Sequence, residues 1–553
     1  MEVTKQNFKD CLVEITKDIE EAHFISIDTE FTGLTSERNI LPFDTSEEYY
    51  EKLFRSTKGF IIVQLGISLF KKDPGGEKVK VKSYNIYTYP QSSLATFLCQ
   101  SQSFSFLAEN GFDFNKLFSS GVGVCNEKQE EKLRQEVKER QEFRQEQIKI
   151  RTSDEQVDTS SRNFLPVPEN EKELIDNAKE KIQQVIDNKI LEAKFEKLNG
   201  FQRKLMYELI ERDFNNKVST LTKNGDNYQK MMVVTSKRTL EDELKLEKDK
   251  IRDDENSLIE KIGIRLLMKE ISKSKKPIVA HNCLLDFFYI LTQCFEDLPE
   301  NYNDFKKLIH RIFPNIIDTK FIAHSDHLKE FFSSTVLNQV LERLQKPPFK
   351  EIELEWENPY NTYSLKSPKE HEAGYDSFLT GYCFLALLDH LNVPLELNFE
   401  KSKALAPFLN RIALQRIALP YIHITGDEPK LNRTHVFHIK FPQTWQVSDI
   451  QDHFKNYGPI QISWVDNTTA FVALYNKENS SCVLKTIGKV NGFEIKTFAD
   501  FQANEKIVLL KQKTLKRKNE DSESESTSSN TTPSKPEAKR KKKKDTFKQC
   551  NNW

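Results

Sequence analysis

Apolar residues arrive in short blocks separated by long charged stretches. The run Phe24-Ile25-Ser26-Ile27 leads into Asp28-Thr29-Glu30 and predicts a buried strand over 24–31. An amphipathic stretch at 8–19 precedes it. Residues 59–70 form a second strand candidate, and 81–89, where polar positions alternate with Tyr84, Ile86 and Tyr87, a third. The pattern resumes much later. A helix near 258–271 precedes Pro277-Ile278-Val279-Ala280, which opens onto His281-Asn282, and 315–320 reads as a strand running into a helix. Residues 373–391 repeat Phe378, Leu379, Tyr382, Leu385 and Leu388 at helical spacing until Pro394. This order predicts an α/β fold with a mixed sheet flanked by helices.

The segment 126–151 is dominated by Glu, Gln, Lys and Arg, which fits a solvated helix or a flexible linker, the linker being favoured. A compact unit follows at 168–237, with helix patterns at 171–191 and 200–212 and short strands at 218–221 and 231–235. A second charged run, 238–256, closes it, so the unit reads as an insertion. Residues 431–500 follow a βαββαβ order. The expected boundaries are 1–165 and 238–425 for the two parts of the large domain, 168–237 for the insertion, 430–500 for the C-terminal unit and 505–553 for a disordered basic tail.

Composition narrows the classes. With 553 residues there is room for several domains, and 82 Lys and Arg against 83 Asp and Glu leave no global basic excess. Any affinity for polyanions is therefore local. No apolar run approaches the roughly 20 residues of a membrane helix, and Met1-Glu2-Val3-Thr4-Lys5 lacks the apolar core of a secretory signal. The eight cysteines are scattered without a CxxC pair, which suits reduced thiols in cytosol or nucleus.

The candidate chemistry sits in three distant strings: Asp28-Thr29-Glu30, His281 to Asp286, and His371-Glu372-Ala373-Gly374-Tyr375-Asp376. In a strand, residues two apart share a face, so Asp28 and Glu30 project together. Adjacent carboxylates repel unless cations separate them, which points to hard divalent metals. Asp286 and Asp376 can complete the cluster, and His371 can handle a proton. Each string also has a bland reading: a solvated pair, a helix cap, a loop histidine.

In order and setting, the three strings resemble the DEDD exonuclease superfamily, in the subclass whose histidine precedes the last aspartate by five residues. The resemblance implies an RNase H-like nuclease domain with Asp28, Glu30, Asp286 and Asp376 holding two magnesium ions, for which manganese can substitute, and His371 as general base. The inserted unit resembles the Arg-x-x-x-His fold, with Arg203-Lys204-Leu205-Met206-Tyr207 carrying tyrosine in place of histidine. That leaves two readings open, contact with RNA or support of a dimer. The C-terminal unit resembles an RNA-recognition motif (RRM-like), degenerate at Asn467–Leu474, where Phe471 keeps one stacking position and Thr469 replaces the other. Trp464, on the neighbouring strand, is a candidate for stacking a base or a cap nucleotide, with core packing as the alternative.

The whole arrangement is similar to the poly(A)-specific ribonucleases, a deadenylase family. This implies a homodimeric, magnesium-dependent 3′→5′ exoribonuclease that shortens poly(A) tails, releases 5′-AMP and binds the 5′ cap through Trp464. Phe31 and Phe114 are candidate base-stacking residues and Lys320 a candidate phosphate contact, each against an ordinary packed or solvated reading. The basic clusters Lys516-Arg517-Lys518 and Lys539-Arg540-Lys541-Lys542-Lys543-Lys544 read as a bipartite nuclear localisation signal or an RNA-binding arm, with the protein expected in nucleus and cytoplasm. A general 3′ exoribonuclease trimming small non-coding RNAs and a catalytically inactive RNA-binding protein remain as alternatives.

Overall fold

The computed structural model describes residues 1–35, 40–92, 94–152, 164–214, 217–224, 230–356, 363–487 and 492–503. The tail clusters 516–518 and 539–544 lie outside the described residues. By internal contacts the chain forms two compact units, 1–40 with 44–429 and 41–43 with 430–553.

In the first unit, strands β1 (Glu2–Val3), β2 (Phe24–Phe31), β3 (Ile62–Lys72) and β4 (Val79–Tyr87) precede the insertion. The insertion carries β5 (Glu192–Phe195), β6 (Val218–Asn224) and β7 (Lys230–Ser236), and the chain then supplies β8 (Ile278–Ala280), β9 (Ile316–Asp318) and β10 (Leu354–Trp356). The main sheet runs β1-β4-β3-β2-β8-β9, with β10 beside β4. It is mixed as expected: β3 is antiparallel to β2 and β4, whereas β2, β8 and β9 run parallel. A two-stranded hairpin, β11 (Arg411–Ala413) and β12 (Tyr421–His423), follows.

The helix Ala373–His390 crosses this sheet and is apolar on nearly every side, as a fully buried helix must be. It lies very close to the strands because small residues permit it. A Cβ on Gly66 of β3 would meet the Ala373 carbonyl oxygen at 1.8 Å. Ser26 donates to the Ser377 carbonyl (2.6 Å), and Ser68 lies within hydrogen-bond distance of Ser377 Oγ (2.9 Å). Glu372 gives the helix no side-chain cap. Instead the sheet supplies acceptors for its first N–H groups: Gln64 Oε1 for Ala373 (2.8 Å) and Asn85 Oδ1 for Gly374 (3.0 Å). The helix end is thereby fixed against β3 and β4.

The insertion forms its own sheet, β5-β7-β6, with helices Lys172–Ile186 and Gly200–Asp213 over a core that includes Ile182, Leu205, Met206 and Met232. The short strand β5 was not expected. Both charged flanks are helical, and this corrects the linker reading of 126–151. Glu127–Thr152 pairs with Leu240–Ile262, Arg144 bonding Glu247 (2.8 Å) and Asp254 (2.5 Å), and Arg140 bonding Asp254 (3.2 Å). Glu130 bonds the buried Arg265 at 2.5 Å. Ion pairs made across helices replace the missing apolar stripe. The helix expected over 258–271 is broken at Gly263, whose φ of +54° suits glycine and whose Cβ would strike the Gly123 oxygen at 1.8 Å.

The second unit contains β13 (Val436–Lys440), β14 (Ile460–Trp464), β15 (Thr469–Leu474) and β16 (Glu494–Thr497), in the order β14-β15-β13-β16 and antiparallel throughout. Helices Val447–Phe454 and Ser480–Thr486 complete the βαββαβ pattern. Phe437, Ile439 and Phe441 point into its core.

Candidate active site

Alternation along β2 puts Phe24, Ser26, Asp28 and Glu30 on the face that carries the 373–390 helix. Thr29 faces the other way and donates to Asp286 Oδ1 at 2.6 Å. Asp286 lies in the helix Leu284–Ile290, which follows β8. The β8 loop is held by Asp318, a wholly buried carboxylate that accepts the Asn282 N–H (2.9 Å) and, through its second oxygen, the Ala413 N–H (3.0 Å). On the third side, the fixed helix end presents His371 and Asp376. The His371 N–H donates to Asp376 Oδ2 at 3.1 Å, and its φ of +64° is left-handed, an uncommon conformation outside glycine.

These segments converge. Donor atoms of Glu30, His371 and Asp376 lie within 4.8 Å of one another. The charged neighbours acting on Asp28 are Asp376, Asp286 and Glu30, all of them acids. Burial, reinforced by that repulsion, holds the Asp28 and Glu30 carboxyls well above the usual range. Burial pushes Asp286 up to about 7 despite the Thr29 hydrogen bond, and Asp376 to about 7 despite the His371 N–H. Burial pulls the His371 imidazole below its ordinary value, with Glu370 opposing. A carboxylate cluster without an internal counter-cation is a donor set suited to hard divalent ions. The arrangement fits metal-assisted attack of water on a phosphodiester, with a neutral imidazole beside it to accept a proton.

The other candidates are more dispersed. Phe31 packs on Tyr289, with ring centroids 4.6 Å apart, and lines a cavity beside Glu30. Phe114 stacks on Phe104 at 5.0 Å within a hydrophobic cluster around Leu107 and Leu117. Lys320 is half-buried and donates to Thr335 O (3.2 Å) and Thr335 Oγ1 (3.0 Å). Tyr207 pairs with Thr222 Oγ1 at 2.9 Å on the insertion.

In the second unit Trp464 is 47% exposed and makes a T-shaped contact with Phe441 at 5.5 Å. Phe471 requires a correction: it is 3% exposed, packed against Phe43, Phe498 and Phe501. His438, which stands where a second stacking ring is expected, lies on Phe501 at 4.4 Å. The sheet face that ordinarily stacks bases is filled by the protein's own aromatics.

Sequence reasoning missed Gln64, Asn85, Thr29 and Asp318, which position the acids without joining them. Among these, Asp318 had a legible signal, a carboxylate at a buried strand end, whereas buried amides in a strand announce nothing.

Fold and site together fit a nuclease. Residues 3–384 match the CAF1 family ribonuclease family, and residues 426–504 match an RNA binding domain family. The chain is 33% identical over 515 residues to the poly(A)-specific ribonuclease PARN of Xenopus laevis, covering 91% of this chain and 81% of that protein. PARN of Homo sapiens is 32% identical over 535 residues, 94% of this chain and 82% of that protein. A pre-piRNA 3′-exonuclease trimmer of Bombyx mori is 26% identical over 528 residues, 91% of this chain and 94% of that protein. The chain belongs to the CAF1 family of ribonucleases, in the branch that contains PARN.

Proposed function

We propose that this ribonuclease shortens 3′-terminal adenosine tracts one nucleotide at a time, releasing 5′-AMP. The observation that carries the reading is the meeting of Glu30, His371 and Asp376 within 4.8 Å, from segments far apart in the chain. Asp28, Glu30, Asp286 and Asp376 would hold two divalent ions, magnesium or manganese, whose chemistry is to neutralise charge at the phosphate and favour ionisation of water. His371, kept neutral by burial and aimed by its left-handed backbone, takes the proton of the attacking water. The terminal phosphodiester then breaks at its 3′ oxygen, leaving a shortened 3′-hydroxyl. Poly(A) preference rests on the identity to PARN over most of this chain.

We extend the proposal to a homodimer and to binding of the 5′ cap, the latter supported by the RNA binding domain match over residues 426–504 and by the exposed Trp464 as the candidate surface. The tail clusters support traffic between nucleus and cytoplasm, and deleting 539–544 would deplete the nuclear pool. A second reading, trimming of small non-coding RNAs, is favoured by the similarity to the Bombyx mori trimmer. One assay separates the readings: 5′-labelled RNAs ending in adenosine or uridine tracts, with and without magnesium. Loss of 3′ adenosines only with magnesium, slow on uridine, supports deadenylation. Equal trimming supports the second reading, and binding without cleavage overturns both.

A further inference from the structure

A cavity of about 510 Å³ adjoins the acid cluster, and its wall includes Glu30, Phe31, Phe106 and Arg416. The two rings are anchored to the site. Phe31 is backed by Tyr289, and Phe106 meets the His371 ring edge-on at 4.6 Å between centroids. Arg416 is exposed at the turn between β11 and β12, with a left-handed φ of +64°. Among the described residues it makes no ion pair and donates no side-chain hydrogen bond, although Lys and Arg elsewhere in this unit are widely paired.

Its position is built into the fold. Asp318 accepts the Ala413 N–H of β11 through one oxygen and the Asn282 N–H through the other. Asn410, just before β11, is bonded in both directions to Ile316 of β9. The turn carrying Arg416 and the loop presenting Asp286 are thus pinned to one buried carboxylate. An exposed guanidinium that makes no ion pair, two aromatic rings and an acid of the cluster line one space. That combination recognises a nucleotide: the fork matches phosphate oxygens and the rings match a base.

We infer that Arg416 is a substrate-binding residue, gripping a backbone phosphate of the RNA 3′ end in this cavity. The inference rests on the reading of the site as an RNA-hydrolysing centre. The bland alternative is a solvated arginine on a surface turn.

The test uses the full chain with Arg416→Gln and Arg416→Lys, on 5′-labelled RNA ending in adenosines, across a series of potassium chloride concentrations. Arg416→Gln is expected to lower kcat/KM about tenfold, as loss of a charged hydrogen bond does, with the change carried by KM. The slope of log KM against log salt should fall by about 0.7, the value for one phosphate contact on a single strand. Arg416→Lys should restore the slope but only part of KM, because a point charge lacks the fork. A KM and salt slope equal to the parent's in Arg416→Gln overturn the inference. If the parent hydrolyses no RNA, equilibrium binding of the same RNA decides. Weaker, less salt-dependent binding by Arg416→Gln sustains the role of Arg416 although the hydrolytic reading has failed. Unchanged binding, or none by the parent, refutes it.

Discussion

Replacing Asp286 with asparagine is expected to stabilise the metal-free protein at pH 8 while abolishing its chemistry. Burial raises this carboxyl from 3.8 to about 7, so the folded protein holds the proton more tightly than the unfolded chain does. The cost of ionisation is absent below about pH 4, grows between pH 4 and 7, and is complete above pH 7. A rise of that size corresponds to about 4 kcal/mol at most, and local relaxation leaves about 2–4 kcal/mol. Asparagine removes the charge but keeps an Oδ1 acceptor for the Thr29 hydroxyl, which now bonds Asp286 at 2.6 Å. In a unit of this size, about 1 kcal/mol moves Tm by roughly 1–2 °C, so a gain of about 2–8 °C is expected at pH 8. The assay is thermal unfolding of parent and variant after chelation, from pH 4.5 to 8.5. The gap should open with pH and level off above 7. A gap that is flat with pH, or a variant less stable than the parent at pH 8, would refute the reasoning. Millimolar magnesium should then favour the parent, since binding to the folded state adds stability by mass action. Hydrolysis by the variant should be lower by at least about 10³-fold, because metal ions held by the proposed cluster would supply several kcal/mol to the transition state.

Three further outcomes follow from the same geometry. His371→Ala should lower kcat by about 10²–10⁴-fold with little change in RNA binding, and the parent's activity should rise with pH through a pKa below 6.5, since burial disfavours the protonated ring; an unchanged kcat would remove the proton-transfer role. Gly66→Ala places a Cβ 1.8 Å from the Ala373 oxygen and should cost about 1–3 kcal/mol by overpacking, with loss of activity as the helix end carrying His371 and Asp376 shifts; a variant with parental Tm and rate would contradict that packing argument. Trp464→Ala should weaken binding of a methylated cap dinucleotide at least tenfold while costing about 1–2 kcal/mol of stability at most, as the residue is 47% exposed; equal cap affinity, measured by fluorescence titration, would move the cap site elsewhere.

The sequence by itself determined the strand that carries Asp28 and Glu30, the helix that begins beside Asp376, and the βαββαβ order of the second unit. Each of these is a local pattern: alternation, helical spacing, or turn residues between short apolar runs. It also offered the acids and the histidine as candidates, through the resemblance of the three strings, in order and setting, to the DEDD exonucleases. Tertiary structure decided what depends on partners remote in sequence. The helix Glu127–Thr152 has no apolar stripe to betray it and is organised by Glu247 and Asp254 on another helix. Phe471 looks like an available stacking ring along its strand, yet Phe43 and Phe498 cover it. Gln64 and Asn85 are ordinary polar residues in sequence and become supports of the site only because buried N–H groups need acceptors. Arg416 gains a meaning only when its turn is brought to the cavity beside Glu30. Local pattern reports which face a residue shares with its neighbours along the chain. Only the folded packing reports which distant group shares its space.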